Sequence, residues 1–189
     1  MNTATTTTAG STAVGTSWTI DSAHSSIEFS VRHMMIATVK GAFPDVDGSI
    51  HWDGEHVENA AVEVRIDTRS ITTHNALRDD DLRSEHFFAV EQWPTMTFTS
   101  THVEPTGRDQ FTVTGDLTIR DQTRPVVLAV EYQGQITDTG GKQRAAFSAT
   151  TSLSRKDFGI SWNERLDGGG VVVGDTIKVM LDIAAVRQG

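Results

Sequence analysis

From Trp18 onward, apolar and polar positions alternate residue by residue in one segment after another. Successive side chains of a strand point to opposite faces, so a period of two predicts half-buried β-strands. Ile27, Phe29 and Val31 alternate with Glu28, Ser30 and Arg32, and Gly48, Ile50 and Trp52 form a second run. Val62, Val64 and Ile66 give a third, and Met96 and Phe98, set between threonines, a fourth. The fifth covers 111–120, with Phe111, Val113, Leu117 and Ile119 on one face. Val126, Leu128, Val130 and Tyr132 make the sixth, and Ala145, Phe147, Ala149, Thr151 and Leu153 the seventh. Val171, Val173, Ile177, Val179, Leu181 and Ile183 close the series.

The links are mostly short, as at Pro105-Thr106-Gly107 and Asp138-Thr139-Gly140-Gly141, which implies antiparallel neighbours. One stretch breaks the period. Residues 75–91 lack alternation and stop before Trp93-Pro94, predicting one or two short helices between the third and fourth strands. Asn75 suits an N-cap, and Asp79–Asp81 suit a solvated second helix start. An open sheet of eight strands leaves two unpaired edges, so the expected fold is all-β: an eight-stranded antiparallel barrel with a short helical insert. Eight strands enclose either a packed core or one small ligand. Small residues on the inward faces, Gly48, Gly115, Ala145 and Ala149, could leave space or merely taper the packing, and alternation leaves both outcomes open.

Composition supports the strand reading. The chain holds 55 Thr, Val and Ile against 7 Leu, and β-branched side chains favour the pleated sheet. The net charge is −9, which argues against a nucleic-acid binder. With no cysteine there is no disulfide, thiolate metal site or cysteine nucleophile. No window has the ~18 consecutive apolar residues of a membrane-spanning helix. Residues 1–16 have no charged side chain and are mostly Thr, Ala, Gly and Ser, without an apolar signal region; a disordered leader is expected, followed by one domain over 17–189 in the cytoplasm.

Several stretches, in order and at matching spacing, resemble the YceI-like family. They begin with Trp18-Thr19-Ile20-Asp21, His24-Ser25, Phe29-Ser30-Val31-Arg32-His33-Met34 and Val39-Lys40-Gly41-Ala42-Phe43. Ile66-Asp67-Thr68-Arg69-Ser70-Ile71, Arg78-Asp79, Leu82-Arg83-Ser84, Phe87-Phe88, Trp93-Pro94 and Phe98-Thr99-Ser100-Thr101 follow. Gly115-Asp116-Leu117-Thr118-Ile119-Arg120, Arg155-Lys156-Asp157-Phe158-Gly159-Ile160 and Gly174-Asp175 complete them. The resemblance implies a lipocalin-like barrel whose long cavity holds an isoprenoid or similar amphiphilic lipid.

On that reading the lining residues are Phe29, Val31, Trp52, Ile66, Phe88, Phe98, Phe111, Phe147, Val179 and Leu181, each of which also suits an ordinary core. Arg32, Arg78, Arg83 and Arg155 are head-group candidates, since a guanidinium suits an anionic head or a structural carboxylate such as Asp79 or Asp157. No metal and no cofactor is expected: the seven histidines are scattered, and three consecutive aspartates on a helix diverge by about 100° per residue. No Gly-x-Ser-x-Gly elbow occurs, and Gly168-Gly169-Gly170 reads as a hairpin connection. Residues 161–170, with Trp162-Asn163-Glu164, are a candidate flap, as the insert 75–91 is a candidate lid. The leading expectation is a non-enzymatic carrier that shields a lipophilic tail. The rivals are an enzyme using Asp79, Asp157, Arg78 or a histidine on a lipophilic substrate, and a filled barrel acting through its outer surface as a homodimer.

Overall fold

The computed structural model describes residues 15–189. The expected leader therefore lies outside the described residues up to position 14, and its boundary needs correction: Thr16 already pairs with Trp52 in the first strand. The strands are β1 (Thr16–Ile20), β2 (Ser26–His33), β3 (Ala37–Ala42), β4 (Val46–Trp52), β5 (Ala61–Asp67), β6 (Thr95–Pro105), β7 (Gln110–Ile119), β8 (Gln122–Thr137), β9 (Gln143–Ser154) and β10 (Val173–Arg187). All pairings are antiparallel, in the order β1-β4-β5-β6-β7-β8-β9-β10, and β10 returns to β1 to close the ring.

Ten segments fill eight barrel positions because two positions are each shared by a pair of strands. β10 pairs with β2 through Ile177–Asp182 and with β1 through Ala185–Arg187. Between β1 and β2 the chain makes one 3-10 turn, Ser22–His24, capped by the Asp21 carboxylate accepting from Ala23 N–H. On the next position β3 lies beside β2 and β4 beside β1. The alternation pattern shows neither β1 nor β3 as a separate strand.

The insert between β5 and β6 holds one helix, α1 (Ala76–Arg83), and a series of turns rather than two helices. Asn75 is the N-cap, its side chain accepting from Arg78 N–H at 3.1 Å. The expected second helix start at Asp79–Asp81 is not there. Asp79 lies in the first turn and is buried, accepting from Thr73 N–H (2.8 Å), Thr73 Oγ1 (2.5 Å) and Thr72 Oγ1 (3.3 Å). Those bonds tie α1 to the loop before it, which bridges to β3 at Ala42 and Thr72.

Candidate functional site

The inward faces of the strands enclose a cavity of about 270 Å³. By the measure of 10–15 Å³ per water-sized sphere, that is room for roughly 20 such spheres. Inward-facing Val64, Leu128, Val130, Phe147, Val179 and Leu181 all line it and stay only half-buried, as side chains facing a void must. A filled core would have buried them.

Glycine is not the source of this space. A Cβ on Gly115 would sit 2.4 Å from the Phe98 ring, and one on Gly41 would sit 2.4 Å from Phe29. Both glycines let an aromatic ring lie flat on the neighbouring strand, so the wall is thinned where the ring is laid down.

The wall is apolar almost throughout. Thr151 and Arg155 have their polar groups bonded to backbone, and Trp52 Nε1, buried without a partner, presents no surface to the cavity. Thr151 Oγ1 donates to Val127 O at 2.8 Å. Arg155 is 4% exposed and donates to the carbonyls of Gly174 (2.9 Å), Ile160 (2.9 Å), Trp162 (2.8 Å) and Val173 (3.3 Å), with Asp175 at 3.4 Å. Burial pulls its pKa down, opposed by the Asp175 charge.

At one end of the barrel, strand residues form an aromatic group. Trp52 stands edge-on to Tyr132 (5.3 Å) and Phe147 (5.9 Å), beside Trp18 at 6.4 Å. The opposite end is covered by connecting segments. Phe43 packs between Phe29 (5.6 Å) and Phe88 (5.5 Å), while Leu82 of α1, Phe87, Phe158 and Ile160 complete the wall. The strap of residues 161–172 lies across this end. Its Trp162 stacks on His86 at 5.2 Å, and its Asn163 side chain exchanges hydrogen bonds with Val173.

All ten residues expected to line a cavity, Phe29, Val31, Trp52, Ile66, Phe88, Phe98, Phe111, Phe147, Val179 and Leu181, face this one. The four arginines are distributed otherwise. Arg78 donates to Thr73 Oγ1 and Thr73 O, and Arg83 to the carbonyls of Arg69 and Ile71. With Arg155 they hold backbone together, whereas Arg32, exposed on β2, donates to Thr38 Oγ1 at 3.2 Å. Asp79, Asp157, Arg78 and the histidines all lie outside the cavity wall. Among the described residues no group of three or more His, Asp or Glu is placed to hold a metal ion. No described helix is long and apolar enough to cross a membrane. Wall residues supplied by connections, such as Leu82, Phe158 and Ile160, carry no period-2 signal and escape the sequence reading.

A closed antiparallel eight-stranded barrel around an apolar cavity, with one short helix, defines a lipocalin-like architecture. The YceI-like domain matches residues 18–185, and the chain belongs to that family. A UPF0312 protein of Vibrio cholerae is 42% identical over 138 residues, covering 73% of each chain. The crystal structure of Burkholderia cenocepacia BcnA superposes with a TM-score of 0.77 at 21% identity, covering 87% of this chain and 98% of that one. A polyisoprenoid-binding domain from Saccharophagus degradans superposes with a TM-score of 0.66 at 14% identity, covering 90% and 98%. At these identities the two structures establish the fold alone.

Proposed function

We propose that the barrel binds and shelters the apolar tail of an isoprenoid-like lipid, without chemical change to it. The observation that carries this reading is the cavity itself: about 270 Å³ bounded by a wall that presents no polar surface to it. At ~24 cal/mol per Å³, leaving such a space empty forfeits about 6 kcal/mol, comparable to the whole stability of many domains. Water gives little relief, because it would find no hydrogen-bond partners there. An oily chain fills the space, and each five-carbon unit buried contributes about 4 kcal/mol at ~0.8 kcal/mol per methylene. The polyisoprenoid-binding domain of like fold supports the choice of ligand class.

A polar head has no partner inside the wall, so it stays at the end covered by α1, the strap and the β2–β3 hairpin. Carriage rather than catalysis is favoured because every titratable group weighed for acid–base work lies outside the cavity. The test uses two neighbours on β10. Val179 faces the cavity and Met180 faces outward, 55% exposed. Val179→Arg should abolish uptake of the polyene fluorophore cis-parinaric acid, whereas Met180→Arg should leave it unchanged. Equal uptake by both folded variants overturns the reading.

A further inference from the structure

The β2–β3 hairpin ends in a three-residue loop, Met34-Met35-Ile36, beside the strap-covered end of the barrel. Met34 N–H donates to Val172 O at 2.8 Å, so the loop is seated against the strap. Met34 and Met35 both turn left-handed, with φ 49° and 63°, where Asn-Gly is the relaxed choice. Folding alone therefore disfavours methionine at both positions, and burial does not compensate. Met34, Met35 and Ile36 are 45%, 59% and 84% exposed, making three consecutive members of the seven exposed large apolar side chains among the described residues.

The charge beside this tip runs against that of the chain. On the outer face of the sheet Ser30 stands between Lys40 of β3 and Lys178 of β10, while Arg32, one step nearer the tip, faces Thr38. Two of the four lysines in a chain of net charge −9 thus occupy neighbouring register positions. Glu28 bounds the patch away from the tip, Asp175 of β10 is paired with Lys156 at 2.8 Å, and the strap beside the patch carries Glu164, Arg165 and Asp167, so the positive excess belongs to Arg32, Lys40 and Lys178 on the sheet face. Exposed apolar side chains flanked by basic ones are the chemistry of an anionic membrane interface.

We propose that this hairpin is a membrane-surface anchor: Met34, Met35 and Ile36 enter the headgroup–acyl boundary of an anionic bilayer, and Arg32, Lys40 and Lys178 meet its lipid headgroups. The anchor stands on exposed chemistry and holds whatever the cavity contains. Val31 and Val173, both cavity-wall residues, lie immediately inside the tip, so docking sets that end of the cavity against the lipid.

The test is co-sedimentation of the full chain with phosphatidylcholine vesicles containing phosphatidylglycerol. The wild type should partition onto them and be released at 1 M salt, where screening acts within ~3 Å. The double variant Met34→Asn/Met35→Gly keeps the left-handed turn in its relaxed form, and its partitioning should fall at least tenfold with an undiminished urea midpoint. Lys40→Gln and Lys178→Gln should each weaken partitioning about fivefold. Wild type remaining in the supernatant, or a double variant that partitions equally well, overturns the proposal. So does sedimentation velocity showing a dimer that the double variant dissociates, since the tip would then seat a second copy. Uptake of cis-parinaric acid delivered from ethanol should be unaffected by the double variant, which separates failure of the anchor from failure of the cavity reading.

Discussion

At one end of the barrel Trp18, Trp52, Tyr132 and Phe147 interlock from strands already fixed by the sheet ladder. At the other end the covering residues ride on connections: α1, the turns after it, and the strap, which the ladder does not hold. There the structure relies on buried charged side chains that each gather several partners, Asp79 for the helix and Arg155 for the strap, with Arg83 and Asn163 adding further ties. Packing fails gradually as contacts are lost, whereas a buried charge that holds several backbone groups fails all at once. The aromatic end is thus a floor held by packing, and the opposite end a cover held by buried polar groups on connections.

That contrast can be broken from either side. Trp52→Ala should have the largest effect, about 4 kcal/mol in urea unfolding, because it removes the centre of the aromatic group. Arg155→Leu should cost about 3 kcal/mol by leaving the carbonyls of Ile160, Trp162 and Gly174 without the guanidinium donor, while Val173 O keeps Asn163 Nδ2. Hydrogen exchange should then speed up in residues 161–172 first while β7–β8 amides stay protected; uniform acceleration would contradict a locally anchored strap.

Asp79→Ala should cost about 2 kcal/mol, since Thr73 N–H and two hydroxyls lose their acceptor. It also has a pH signature. Burial pushes the Asp79 carboxyl up, but hydrogen bonds from Thr73 and Thr72 and the Arg83 charge outweigh burial and hold it below the ordinary value. A folded pKa below the unfolded one gives stability that is full above about pH 4 and fades as pH falls through the folded value. The acid-side slope of the urea midpoint should flatten in Asp79→Ala, and an unchanged slope would refute the assignment.

The aromatic floor and the barrel wall were readable from alternation, since Trp52, Phe147 and Val179 sit on strands whose inward face is apolar. β1 was missed because Asp21–Ser25 interrupts the strand it shares with β2. β3 was missed because its inward residues include Gly41, whose place is taken by the Phe29 ring. At the anchored end α1 buries an aspartate, so no apolar stripe announces it. Hollowness was beyond the pattern altogether: an inward valine looks the same in sequence whether it meets another side chain or a void.

The central claim is tested most directly by native mass spectrometry of the protein as purified, followed by organic extraction. A stoichiometric long-chain apolar molecule, recovered chemically intact after incubation with the protein, is the predicted result. An unliganded mass together with a crystal structure in which the cavity has collapsed onto packed side chains would contradict it.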